Sequence, residues 1–572
     1  MEKIEKLKKI LIREKLDGYL IPKNDEFFGE YIPEYNDRLN FISDFNGSYG
    51  FALILRNKNY LFVDGRYTLQ AKNQIGNNFK IVTFPNKMPK DIFKDKKFKI
   101  GYDPKLLTKN FLNYFFKKTN IKFLSLKENL IDKIWRRKKT IKIKKFYVLP
   151  KKFSNQDYNL KIKKIINNLK KRNADYQFIS ASENCAWLLN IRGFDSEFSP
   201  LPHCHILINC NKNILFFSDQ RKISIKFKNK FKNFKFVDMD FLDKILSEIS
   251  DKKFIIDKNT CSIFFENLIL AKNKILEEKD PIYFFKSIKT KNEIKNIQKA
   301  HIADGLALTK YLLWLKKNFY KKKITEISAS QKLSNFRNKN KDYLFPSFPT
   351  ISGTGSNGAI IHYRASKKTN LQIKKGDIYL VDSGGQYKFG TTDVTRTISL
   401  ENSNNRIKNI FTRVLKGHIA VANFNLKKNT NGAQIDREAR KFLKKIGLDY
   451  DHGTGHGVGY FLNVHEGPQS ISKNNKTSLC EGMIISNEPG YYEKNNFGIR
   501  IENLIYIRKK KNKKVFENLT MAPIEKELIN INLLNNKEKN WINDYHQKVF
   551  NNLKHYMYKN DLIELKKACS AI

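Results

Sequence analysis

The sequence predicts a mixed α/β (α+β) protein: a duplicated α/β domain, then a third, β-rich domain that carries the chemistry. Three observations predict it. A string of segments in the first half recurs in the same order about 150 residues later. A long amphipathic helix opens the second half. After Phe345 the pattern turns to alternating apolar runs broken by glycine-rich turns.

The first copy begins with MEKIEKLKKILIREKLDGYLI. Ile4, Leu7 and Leu11 fall there at helical spacing, and charges interrupt any apolar core, so it reads as an amphipathic helix and not a secretory signal. LDGYLIPKNDE (16–26), LNFISDF (39–45) and YLFVDGRY (60–67) follow. The second copy runs NADYQFISASE (173–183), LLNIRGF (188–194) and ILFFSDQR (214–221). Each has a Lys-rich helical segment, a β-rich run, a short helix and further strands. A charged connector, WRRKKTIKIKKFYVLPKK (135–152), separates the copies. The long helix starts within DPIYFFKSIKTKNEI (280–294) and continues through HIADGLALTKYLLWL. These boundaries give domains at 1–135, 141–287 and 288–507, with a structured, helix-ended segment at 508–572.

Bulk properties bound the function. A chain of 572 residues holds about two to four domains. With 41% hydrophobic and 13% aromatic residues it can pack them, which excludes general disorder. Apolar runs such as 206–208 and 214–217 fall far short of the roughly 20 residues of a membrane span. A cytoplasmic protein without membrane contact is expected. The six cysteines are scattered without a CxxC pair, so buried free thiols are expected rather than disulfides or a zinc ribbon. The net charge of +52 comes from Lys spread end to end among abundant Asn and Ile, residues with A/T-rich codons. It forms no stripe with interleaved aromatics, so no specific nucleic-acid partner is expected.

The chemistry lies in five side chains: Asp382 in VDSGGQY, Asp393 in TTDVTRT, His456 in TGHGVG, Glu488 in NEPGYY and Glu502 in GIRIEN. Four carboxylates and one imidazole form a hard donor set that suits a pair of Mn²⁺-like divalent ions better than thiolate-bound zinc. Such pairs serve metal-assisted hydrolysis. Asp382 and Asp393 read as one β-hairpin, and Glu502 as the end of an alternating strand. A carboxylate on an isolated strand is ordinarily solvated, but Ile484, Ile485 and Ile501 predict burial of Glu488 and Glu502, and a buried carboxylate needs a cation to stay ionised. His452, His456 and His465 cluster among glycines, and His362 lies upstream in NGAIIHYR.

FPSFPTISGTGSNGAIIHY, VDSGGQY, GTTDVTRT, HGTGHGVGYFLNVHEGP, SNEPGYYE and FGIRIEN together resemble the Xaa-Pro aminopeptidases (aminopeptidase P). These belong to the pita-bread metallopeptidases, with prolidase and methionine aminopeptidase. LNFISDFNGSYGF, VDGRYTLQA and AWLLNIRG resemble two creatinase-type N-terminal domains, and LTMAPIE with WINDYH resembles the family's C-terminal segment. The resemblance covers nearly the whole chain and is closest to the three-domain cytosolic type.

It implies a metallo-aminopeptidase that releases the first residue from peptides with proline second, by attack of a hydroxide bridging two divalent ions, usually Mn²⁺. Asp382 then ligates one metal, Asp393 and Glu502 bridge both, and His456 and Glu488 ligate the other. Glu488 also accepts the proton of the bridging water. His362, His452 and His465 surround the peptide substrate and its tetrahedral intermediate. Arg500 holds a ligating carboxylate from behind, and Tyr492 lines the pocket. A homodimer is expected. Asp451, before His452, departs from the pattern, where a small residue is expected. The alternatives are a prolidase-type Xaa-Pro dipeptidase, which the double N-terminal domain disfavours, and a metal-free peptide- or nucleic-acid-binding module or creatinase-like hydrolase. The complete ligand set disfavours both of the latter.

Overall fold

Alternation with period two decides the first sheet. In the strand Phe51–Leu55, Ala52 and Ile54 point into one core with Leu7 and Leu11 of the helix Glu2–Arg13. Phe51 and Leu53 point into a second core with Phe62 and Phe115. A strand buried on both faces belongs in the middle of a covered sheet. In the computed structural model, which describes residues 2–137, 143–154, 156–401 and 403–572, this sheet has six strands. Their order is Lys80–Phe84, Asn59–Asp64, Phe51–Leu55, Gly18–Pro22, Lys99–Tyr102, Lys122–Ser125.

The second sheet repeats that order: Phe234–Val237, Ile214–Phe217, His205–Asn209, Tyr176–Ile179, Lys253–Ile256, Lys274–Glu277. In both, the first strand in sequence lies between an antiparallel and a parallel neighbour. The duplication read from segment order is thus a duplication of topology. Residues 138–142 of the charged connector lie outside the described residues, and its end belongs to the second copy, where Tyr147–Val148 pairs with Ile191–Arg192.

The chain divides into two compact units, the first ending at Ile282 and the second spanning Tyr283–Ile572. The second unit opens with the helix Lys291–Asn318. It starts there because Thr290 Oγ1 accepts from Glu293 N–H at 3.2 Å while the Glu293 carboxylate accepts from Thr290 N–H at 2.8 Å. The β-rich reading beyond Phe345 needs one correction. Two helices, Asn405–Ala422 and Gly432–Lys444, interrupt the strands, each started by an Asn cap (Asn404, Asn431). Their apolar faces, Ile410, Val414 and Leu415 in the first and Ile435, Ala439 and Leu443 in the second, recur at helical spacing opposite Lys and Arg. The terminal segment forms the helix Asn536–Leu553, whose Ile542, Tyr545 and Val549 pack with Ile499 and Ile501 beside the strands of the site.

All six thiols are free. Cys185, Cys204, Cys261 and Cys569 are buried as expected, whereas Cys210 and Cys480 are only partly covered, because each lies in or beside a turn.

Four buried imidazoles, His205, His301, His418 and His546, make stability pH-dependent, the pKa of each lowered by burial. Burial pulls His205 and His546 down to about 4 and His418 down to about 3. Below the ordinary imidazole value of about 6.5 the unfolded chain binds these protons and the folded chain does not, so stability falls from there toward pH 4. Each of His205, His418 and His546 contributes about 1.4 kcal/mol per pH unit in that window. We expect His205→Asn to flatten the fall of melting temperature between pH 6.5 and 4.5; an unchanged slope counts against this assignment.

Candidate metal centre

Asp382 lies in the strand Ile378–Ser383, opposite Thr395 of the antiparallel strand Val394–Ser399. The single hairpin expected from sequence is replaced by a two-level arrangement. A small inner pair, Gly385–Tyr387 with Gly390–Thr391, belongs to another sheet, and Asp393 falls in the gap before the outer strand resumes. Gly384 permits this exit, since a Cβ there would strike the Thr392 carbonyl oxygen. Glu502 is likewise in a two-residue break, between Phe497–Arg500 and Asn503–Lys510, and not on a strand. Its N–H bonds to Thr395 O at 3.2 Å, which ties it to the aspartate strands. Glu488 follows the strand Ile484–Asn487, and its N–H bonds to Thr454 O at 2.8 Å, beside Gly455–His456.

These connections bring the side chains together. Donor atoms of Asp393, His456 and Glu502 lie within 4.8 Å of one another. His456 Nε2 is 3.4 Å from Asp393 Oδ2 and 3.5 Å from Glu488 Oε1. Asp382 is oriented separately: Arg500 Nη2 donates to its Oδ2 at 2.6 Å.

The electrostatics show the strain of this crowding. Burial, reinforced by the charges of Asp382 and Glu488, pushes the Asp393 carboxyl up to about 6 against the opposing hydrogen bond from His456. Burial and the charges of Asp393, Glu488 and Asp382 lift Glu502 well above the carboxylate range. Burial pulls the His456 imidazole down, but Asp393 and Glu488 outweigh it and hold it up to about 9. Asp382 Oδ1 and Asp393 Oδ1 are buried and accept no hydrogen bond from a described residue. Buried acceptors and crowded negative charge call for cations, and the hard donors fit divalent ones.

Around this set, Arg500 makes a buried hub. Its Nε donates to Thr395 Oγ1 at 3.1 Å, and that hydroxyl donates to Glu502 Oε2 at 2.7 Å. Its Nη1 donates to Tyr492 OH at 2.5 Å. Tyr492 OH and His452 Nε2 are 2.9 Å apart, and His452 Nδ1 donates to Gly453 O at 2.7 Å. Both ring nitrogens of His452 are thus engaged by the protein, and Tyr492 links Arg500 to His452. The Ile361 carbonyl lies 3.5 Å from Arg500 Nη2, which brings the turn carrying His362 to the same hub. The His465 ring packs edge-to-face on His456, centroids 4.3 Å apart. Asp451 is exposed and outside these bonds.

Several supporting residues escaped the sequence reading. Buried Glu326 accepts from Thr354 N–H, Asn357, Tyr363 OH and Leu371 N–H, gathering the loop that holds His362. Arg396 donates to the Glu502 carbonyl at 2.7 Å and to Tyr545 OH at 2.8 Å, joining the terminal helix to the site. Arg440 fixes His452 through its carbonyl at 2.6 Å. Thr395 and Arg396, two and three residues after Asp393, stand inside the TTDVTRT string.

Fold and site together define a metallopeptidase. Residues 295–509 match the Metallopeptidase family M24, 3–134 and 137–293 each match a Creatinase/Prolidase N-terminal domain, and 515–572 match the C-terminal region of that peptidase class. The chain is 37% identical to Xaa-Pro aminopeptidase 1 of Dictyostelium discoideum, over 96% of this chain and 92% of that one. It is 36% identical to a probable Xaa-Pro aminopeptidase P of Laccaria bicolor, over 95% and 89%. The crystal structure of X-prolyl aminopeptidase from Caenorhabditis elegans, described as a cytosolic enzyme with a di-nuclear active site, superposes with a TM-score of 0.93 at 29% identity, covering 100% of this chain and 99% of that one. The chain belongs to the Xaa-Pro aminopeptidase family of M24 metallopeptidases. Prolidase from Pyrococcus furiosus, at 25% identity and a TM-score of 0.51, covers 62% of this chain and 98% of its own.

Proposed function

We propose that this chain releases the N-terminal residue from peptides whose second residue is proline. The observation that carries the reading is the set of four carboxylates and one imidazole, with Asp382, Asp393 and Glu502 buried and His456 and Glu488 partly open, in a chain similar over its full length to X-prolyl aminopeptidase and over only 62% to prolidase. An Xaa-Pro amide has no N–H and restricted geometry, so a dedicated site is needed.

Asp382, Asp393, His456, Glu488 and Glu502 would hold two divalent ions, Mn²⁺ suiting these hard donors best. When bound, the ions supply Lewis-acid polarisation of the scissile carbonyl and a lowered pKa for water. The chain's own residues do the rest. Glu488, with Oε1 toward His456 and Oε2 4.0 Å from His452 Nδ1, takes a proton from the attacking water and returns it to the proline nitrogen as the C–N bond breaks. Arg500 keeps Asp382 in place, and through Thr395 keeps Glu502 in place. His362 and His465 contact the peptide, and His452 orients Tyr492 at the pocket wall. The glycine- and histidine-rich loops that carry them thus shape the pocket around the peptide.

The same reading divides the chain into two creatinase-type domains at 1–135 and 141–287, a pita-bread catalytic domain at 288–507 and a terminal segment at 508–572. It also assigns a cytoplasmic homodimer. Among the described residues no helix is long and apolar enough to cross a membrane. An Xaa-Pro dipeptide assayed beside an Xaa-Pro-Yaa tripeptide tests the substrate class. Cleavage of the tripeptide at a kcat/KM equal to or above the dipeptide's is expected; cleavage of the dipeptide alone would make the chain a prolidase.

A further inference from the structure

Behind the histidines lies a second buried charge cluster. Lys289 Nζ donates to Glu466 Oε1 at 2.5 Å and Lys286 Nζ to Oε2 at 3.2 Å, with all three side chains 1% exposed. The lysines come from the segment leading into the helix Lys291–Asn318, where Lys289 N–H bonds to Gly482 O at 2.9 Å. Taking three ions out of water costs several kcal/mol each, so such a cluster is weak evidence of stabilisation. Its connections supply another reading.

Glu466 follows His465, whose ring packs on His456. The Glu466 N–H donates to the Gly457 carbonyl at 2.8 Å, and the same carbonyl accepts from His456 Nδ1 at 3.0 Å. A carbonyl oxygen can only accept, so His456 carries a proton on Nδ1 and turns Nε2 to Asp393 and Glu488. The two segments touch so closely that a Cβ on Gly457 would strike the Glu466 carbonyl and the Gln469 amide.

We propose that Glu466, clamped between Lys286 and Lys289, is the positioning residue for the His456–His465 pair. It fixes the carbonyl that sets the His456 tautomer and holds the His465 ring against it, so His456 Nε2 is aimed at the metal before the metal binds. This rests on the metallopeptidase reading, and its test has a readout that needs no turnover.

In the full chain, Glu466→Gln is expected to weaken Mn²⁺ binding by calorimetry about 10–100-fold, the usual range for a residue that orients a ligand. At saturating Mn²⁺, kcat falls and KM for the peptide rises, because the His465 ring that Glu466 holds contacts the peptide. Glu466→Gln leaves two buried lysines with no carboxylate and can fail to fold. The triple variant E466M/K286M/K289M replaces the cluster with apolar chains of similar volume, an exchange buried ion clusters tolerate. The same 10–100-fold loss of affinity is expected of it. Either variant, folded and binding Mn²⁺ with the wild-type Kd, overturns the proposal. The two readings fail separately: a wild type that binds Mn²⁺ and cleaves no Xaa-Pro peptide sinks the peptidase reading, and an unchanged Kd in the variants sinks this one.

Discussion

Asp393→Asn is expected to bind Mn²⁺ at least about 100-fold more weakly than the wild type and to release no N-terminal residue at measurable rate, beyond the loss usual for a residue outside the ligand set. The reason is its central position: its Oδ2 is 3.4 Å from His456 Nε2, and its donor atoms share a 4.8 Å cluster with those of Glu502. An amide offers one neutral oxygen where a carboxylate offers two charged ones, and a hard divalent ion needs the charge. The same substitution carries a second expected result of opposite sign. Metal-free, the crowded carboxylates repel one another, and the amide removes one charge from that crowd. The metal-free variant should therefore be more stable than the metal-free wild type, by about 0.5–2 kcal/mol, as is common where a site is strained for function. Calorimetric melts with and without Mn²⁺ check both. A variant that melts below the wild type in both states would mean that Asp393 serves the fold and not the metal.

Glu488→Gln is expected to lower kcat about 10²–10⁴-fold at saturating Mn²⁺, the range for removal of a general base. Glu488 is suited to that work by exposure: its side chain is 17% accessible, against 5% for Asp393, so it can exchange a proton with solvent. Ser486 Oγ donates to its Oε1 at 3.1 Å and orients the carboxylate without neutralising it. KM for the peptide should change little, because Glu488 acts on the proton and not on the peptide's fit. A variant with normal kcat once Mn²⁺ is saturating would assign proton transfer elsewhere.

The site was legible in sequence where a residue type and its neighbours carried the signal together. Asp382, Asp393, His456, Glu488 and Glu502 each stand in a short string that predicts a strand end or tight turn. The fold brings donor atoms of Asp393, His456 and Glu502 within 4.8 Å of one another, sets Glu488 3.5 Å from His456, and holds Asp382 on Arg500. The duplicated domain was legible because segment order survives where identities do not, as the matching strand orders of the two sheets bear out. What escaped is what depends on distance along the chain. Glu466 meets lysines 177 and 180 residues earlier, and Arg396 meets Tyr545 149 residues later. Nothing local marks either pair. The inner strand pair between Asp382 and Asp393 was missed for a different reason: a short Gly-containing link looks like a simple turn whether it joins two strands of one sheet or departs into another. The helices Asn405–Ala422 and Gly432–Lys444 carry a clear apolar period and an Asn cap each, signals that the glycine-rich strings around them overshadowed.

Metal-stripped full-length chain, given an Arg-Pro-Pro peptide with and without added Mn²⁺, tests the central claim most directly. The account predicts release of free arginine only when Mn²⁺ is restored, with Asp393→Asn inert in both conditions. A folded chain that binds the peptide and cleaves nothing under any divalent metal would contradict it, and would make this a binding module with a peptidase's fold.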